Sequence, residues 1–166
     1  MNIILCGFMG AGKSTIGKLL AEKLNRNFID LDDYIVQKRG MSINEIFKKY
    51  GEENFRKSET QSVKNISLLD NHIIALGGGT VINPKNAQIL KTSGKIIMLD
   101  VSPETVYKRL KNDKSRPLLQ TDDKLKAITD MMNSRFPYYN DAADCKIVVD
   151  GKSKDEIIEE IIKLFE

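Results

Sequence analysis

The chain has little with which to build a cross-linked, metal-rich or membrane-embedded protein. It carries one histidine and two cysteines among 166 residues. Cys6 and Cys145 both sit in apolar, strand-like runs, so they read as buried thiols in a reducing compartment rather than as a disulfide or a metal pair. His72 opens another such run, a position that suits a structural residue better than a catalytic one. No apolar stretch approaches the roughly 20 residues of a membrane span, and Met1 to Cys6 is too short for a signal-peptide core, so the expected location is the cytoplasm, with no membrane partner. Charge of one sign is also scarce. Lys and Arg number 26 against 23 Asp and Glu, a net +3 that makes no case for nucleic acid. Neither N-K-x-D nor D-x-x-G occurs, which speaks against a guanine-nucleotide switch, and no repeat or low-complexity linker interrupts the chain. The length fits a single domain, 1–166, around one core.

What is present begins at residue 7. Gly7-Phe8-Met9-Gly10-Ala11-Gly12-Lys13-Ser14-Thr15 fits G-x-x-x-x-G-K-[ST], placed between the β-branched run Ile3-Ile4-Leu5-Cys6 and the helix-periodic segment Ile16 to Leu24. A loop that wraps a triphosphate must turn its N–H groups inward, and glycines permit both the unusual φ values and the close approach. The following helix aims its unpaired N–H groups and positive dipole end at the same anion. Lys13 then bridges the terminal phosphates and the Ser14 hydroxyl ligates Mg²⁺.

Elsewhere, short apolar runs alternate with helix-periodic ones. Asn2–Cys6, Asn27–Asp30, His72–Leu76, Lys95–Val101 and Cys145–Val149 read as strands. Helices are expected at Ser14–Leu24, Asp33–Lys38, Ser42–Tyr50, Glu52–Leu69, Pro84–Lys91, Pro103–Leu110, Asp123–Asp141 and Ser153–Phe165. Ser42 with Glu45 forms a capping box, and Pro103 after Ser102 suits a first helical position. The fold class is therefore α/β, a parallel sheet in a three-layer α/β/α sandwich. Strands apolar at consecutive positions imply helices on both faces. The polar segment Asn112 to Asp122, broken by Pro117, reads as a lid loop.

The third run ends in Gly77-Gly78-Gly79 and offers no acid to a metal, so Asp30-Leu31-Asp32-Asp33 becomes the source. Extended alternation puts Asp30 and Asp32 on one side, with Asp30 to Mg²⁺ through water and Asp32 to an acceptor hydroxyl. Helix capping is the competing role, and it fits Asp33 best. Three glycines closing a buried strand suggest a ligand against their N–H groups, or else a plain turn. Arg56, Arg109, Arg116 and Arg135 stand outside regular charge patterns; each offers a planar fork to carboxylate or phosphate, although for any one of them alone a surface ion pair is the better reading. Gly151-Lys152-Ser153 lacks the earlier glycine of a second phosphate loop and reads as an adenine-side loop.

Taken with Asp30-x-Asp32, Phe55-Arg56-x-x-Glu59, Gly77-Gly78-Gly79, Arg116-Pro117-Leu118-Leu119 and Arg135-x-x-x-Tyr139, the loop makes the chain resemble the shikimate kinases over nearly its whole length. The resemblance implies a P-loop kinase fold with strand order 2-3-1-4-5, substrate-binding helices over about 31–62 and a lid over about 111–123. It implies transfer of the ATP γ-phosphoryl to the 3-hydroxyl of shikimate, with ATP as co-substrate and one Mg²⁺, by a monomeric enzyme of aromatic amino acid biosynthesis. Carried over residue by residue, it gives shikimate to Asp32, Arg56, Gly78, Gly79 and Arg135. Nucleotide falls to Gly10, Ala11, Gly12, Lys13, Ser14, Thr15, Arg109 and Arg116, metal to Ser14 and Asp30, and catalysis to Lys13, Asp32 and Arg116. Kinases of gluconate or of a nucleoside monophosphate, and a nucleotide-dependent binding module, are the competing readings.

Overall fold

The computed structural model describes residues 1–116 and 119–166. Strands β1 (Asn2–Cys6), β2 (Asn27–Asp30), β3 (His72–Ala75), β4 (Gly94–Asp100) and β5 (Cys145–Val148) alternate with helices. The helices are α1 (Lys13–Leu24), α2 (Leu31–Arg39), α3 (Ile43–Ile66), α4 (Pro84–Ser93), α5 (Pro103–Leu110), α6 (Lys124–Ala142) and α7 (Lys154–Lys163). Every strand pairing is parallel, in the order β2-β3-β1-β4-β5 that the resemblance implied. A parallel pair cannot be joined by a tight turn, so each strand feeds a helix that crosses back over the sheet. Helices α1 and α7 pack together on one face, and α4 and α6 lie against β4 on the other.

The central strand β1 carries Ile3, Ile4 and Leu5 with no exposure, as coverage on both faces requires. That expectation does not extend to the edges. Along β2 the side chains are half-buried or exposed, and β5 turns Lys146 and Val148 to solvent. Cys145, at the start of β5, is consequently half-buried, whereas Cys6 is buried as expected. Burial pushes the Cys6 thiol up to about 12, which keeps it protonated and inert.

Local signals set most boundaries. Ser42 and Glu45 close the capping box at the start of α3, and Ser153 with Glu156 forms a second at α7. The two helices expected over residues 42–69 are both present within α3: Gly51, at φ 82° and ψ 168°, is non-helical and separates them, and the second ends at Ile66. Parallel register brings the ends of β1, β2 and β3 to one edge of the sheet, with Asp30 opposite Ala75 and Ala75 opposite Leu5. The loops that leave this edge are the ones that carry the chemistry.

Candidate active site

Gly7 enters the first loop at a φ of 135°, and a Cβ there would lie 2.6 Å from the Leu99 carbonyl oxygen on β4. Gly12 sits left-handed at φ 97° and caps α1 without a side chain, so the first N–H groups of that helix remain open to an anion. Lys13 is buried, and its Nζ donates to the carbonyls of Gly7 at 2.8 Å and Phe8 at 2.9 Å, folding the ammonium into the curl of its own loop. Burial pushes this lysine down to about 8, with the Asp32 carboxylate pulling the other way. Around the loop lies a cavity of about 210 Å³ lined by Gly10, Gly12, Lys13, Ser14, Thr15, Asp30, Asp32 and Arg116. On the far side of the loop, Gly12, Thr15, Arg109 and Lys152 line another of about 350 Å³, and Arg109 Nη1 donates to the Gly10 carbonyl at 2.6 Å. Gly151-Lys152-Ser153 thus lies beside the loop.

The acids adopt a different arrangement from the extended one expected. Asp30, not Asp33, caps α2: its Oδ1 accepts from the N–H groups of Asp32 at 3.0 Å and Asp33 at 3.3 Å. The helix therefore begins at Leu31, two residues early. Asp33 is exposed, while Asp32, in the first turn, faces inward. The second Asp30 oxygen accepts from the Ser14 hydroxyl. Burial pushes the Asp32 carboxyl up to about 6; the charges of Asp30 and Glu59 add to this, and Lys13 and Arg116 oppose it.

Asp32, Gly77, Gly78 and Arg116 also border a further cavity of about 140 Å³, completed by Phe47, Phe55, Arg56, Glu59, Gly79 and Arg135. Here the three glycines make room for side chains as much as for a ligand. A Cβ on Gly77 would come within 2.8 Å of Asp32 Oδ1 and one on Gly79 within 2.6 Å of Arg56 Nη2, whereas one on Gly78 would meet the Met9 nitrogen at 3.3 Å, with Arg135 Nη1 at an ordinary contact distance of 3.5 Å.

The two arginines at this cavity, Arg56 and Arg135, differ in their company. Arg56 pairs with Glu59 at 2.9 Å and Glu52 at 3.4 Å. Arg135 is 8% exposed, lies 5.8 Å over the Phe8 ring, and has no carboxylate within 4.0 Å among the described residues. Composition had not singled out Glu59, which is 1% exposed and also accepts from the Thr80 hydroxyl at 2.7 Å. Nor had it singled out Tyr139, whose hydroxyl donates to the Gly78 carbonyl at 2.5 Å. Both stood in the motifs that carry the resemblance, three residues after Arg56 and four after Arg135, but were given no role there. Arg116 sits 3.6 Å from Asp113, which is turned back by Ser115, and Asn44 of α3 donates to the Ser115 carbonyl at 3.1 Å. Pro117 and Leu118 of the expected lid motif lie outside the described residues.

A glycine cradle and an acceptor cavity that share Asp32 and Arg116 as a common wall, on a 2-3-1-4-5 sheet, define a P-loop kinase. A family model for shikimate kinase matches residues 9–166. The shikimate kinase of Caldanaerobacter subterraneus subsp. tengcongensis is 45% identical over 99% of this chain and 95% of its own, and that of Geobacter sulfurreducens 44% over 96% and 88%. Among solved structures, shikimate kinase from Acinetobacter baumannii in complex with shikimate superposes with a TM-score of 0.94 at 35% identity, covering 99% of this chain and 92% of the other. The chain belongs to the shikimate kinase family.

Proposed function

We propose that this chain transfers the γ-phosphoryl group of ATP to the 3-hydroxyl of shikimate, releasing ADP and shikimate 3-phosphate for aromatic amino acid biosynthesis, as a cytoplasmic monomer. The observation that carries the substrate is Arg135, a buried cation without an acidic partner among the described residues, at the wall of a cavity that adjoins the phosphate loop. Leaving a buried charge uncompensated is costly, and a carboxylated ring supplies the missing anion. Among the described residues no helix is long and apolar enough to cross a membrane.

In this reading the acceptor carboxylate lies against Arg135, with Arg56 beside it, and Gly78 and Gly79 allow its approach. Asp32 holds the acceptor hydroxyl. As the oxygen bonds to the γ-phosphorus, the bond to the ADP oxygen breaks and the hydroxyl proton passes to Asp32, whose raised proton affinity suits that task. Lys13 and Arg116 neutralise charge on the transferring group, and Arg109 steadies the loop beside the adenine. The hard oxygens of Ser14 and Asp30 would hold Mg²⁺, Asp30 through water, and the ion would supply positive charge to offset that of the phosphates.

An acceptor panel in a coupled ADP-release assay tests the assignment. Shikimate is expected to be turned over at least 10²-fold better than gluconate or a nucleoside monophosphate, which bring an anion but place it and their hydroxyls differently; a site whose buried polar groups are left unpaired discriminates by as much as about 10⁴–10⁵-fold. A preference for either alternative overturns it.

The pH profile follows from the two shifted groups. Asp32 must be ionised and Lys13 protonated in the free enzyme, so kcat/KM should hold a plateau between about 6 and about 8. Below it the rate falls as Asp32 gains its proton, and above it as Lys13 loses one. In kcat the alkaline limb should move upward, because bound phosphates favour the charged lysine. Asp32→Asn should remove the acid limb together with most of the activity; an acid limb that survives this change counts against Asp32.

A further inference from the structure

Phe8 touches both halves of the site. Its carbonyl accepts from Lys13 Nζ at 2.9 Å, and its ring carries the Arg135 guanidinium at 5.8 Å from the centroid. The residue is 2% exposed, yet beyond it lies a cavity of about 310 Å³ whose wall includes Met98, Met132, Phe136 and Tyr139, which leaves the ring room to shift. Next to it, a Cβ on Gly78 would stand 3.3 Å from the Met9 nitrogen, so the phosphate loop and the acceptor loop are in contact.

We propose that Phe8 is a positioning residue through which nucleotide binding orients Arg135 for the acceptor carboxylate. The inference rests on the reading of Lys13 as the phosphate cation and Arg135 as the carboxylate cation. When phosphates draw Nζ away, the Phe8 carbonyl gives up that bond and keeps only the one from the Ala11 N–H at 3.1 Å, so the peptide that carries the ring relaxes. A guanidinium seated on an aromatic face is held in one plane, and a planar carboxylate is gripped by both nitrogens only when the planes agree. Both ligands thereby act on the setting of one ring, and linkage makes the effect reciprocal.

Calorimetric titration of shikimate into the protein alone and into protein saturated with magnesium and ADP tests this. The wild type should bind shikimate about 5-fold to 50-fold more tightly with ADP present, within the usual range of coupling. Phe8→Leu should reduce that factor below about twofold, and Phe8→Tyr, which keeps the aromatic face, should restore it. If Phe8→Leu does not fold, Phe8→Met removes the ring with an unbranched side chain of similar volume. Equal wild-type affinities with and without ADP, or undiminished coupling in Phe8→Leu or Phe8→Met, overturn the inference. Arg135→Ala separates the two ideas: if it leaves shikimate affinity unchanged, the carboxylate assignment itself fails, whereas weakened affinity with coupling intact in Phe8→Leu sinks the role of Phe8 alone.

Discussion

Lys13→Met should lose roughly 10³-fold or more in kcat, the scale on which a fixed cation acts on a transferring phosphoryl group. Methionine keeps most of the side chain's volume and removes only the charge and its donors. In the free enzyme the change deprives the Gly7 and Phe8 carbonyls of a partner at 2.8 and 2.9 Å, which works against the fold. It also removes an ammonium whose depressed proton affinity, about 8, reports the cost of its burial. These two effects oppose one another, so a single cooperative melting transition should persist while turnover collapses. Turnover near the wild-type value would remove the phosphate-loop assignment.

Arg135→Ala should raise the KM for shikimate by about 10²-fold, as expected for truncating one partner of a desolvated charge pair, while the KM for ATP moves no more than a few fold. Stability should change little, because in the free protein this guanidinium has no carboxylate within 4.0 Å among the described residues. Arg56→Ala provides the contrast. Its guanidinium already answers to Glu59 and Glu52, so it has less attraction left for an incoming carboxylate, and about a tenfold rise in the same KM is expected. Its removal leaves Glu59, 1% exposed, with the Thr80 hydroxyl as its remaining side-chain donor, and thermal stability should drop by about 1–3 kcal/mol. Steady-state kinetics and melting curves on the two variants read both differences. Equal effects on both substrates for Arg135→Ala, or an Arg56→Ala protein as stable as the parent, would contradict this division.

That division shows where the sequence runs out. Arg56 and Arg135 look alike in a linear chain: each has an aromatic neighbour and an acid or phenol one helical turn away. Only burial and partners separate them. The acid segment is a similar case. Reading it as extended gave the right pair, Asp30 and Asp32, facing the loop, but assigned the cap to Asp33. The helix starts two residues earlier than expected, and Asp30 fills the cap because its side chain reaches the Asp32 and Asp33 N–H groups. Likewise, three successive glycines imply a close approach, while the identity of what approaches, Asp32, Arg135 and Arg56 from α2, α6 and α3, needs the packed molecule.

By itself the sequence determined the glycine cradle with Lys13 and Ser14, the alternation of strand and helix, and the capping signals at Ser42 and Ser102. These depend on interactions within a few residues, where φ freedom, side-chain period and hydrogen-bond reach are set locally. Tertiary structure decided that Asp32 and Arg116 form the wall between two cavities, and that Arg135 lies over the Phe8 ring with no carboxylate within reach among the described residues. Those relations arise between elements dozens of residues apart, and they exist only once parallel crossovers have brought the strand ends to a common edge and excluded water between the helices above it.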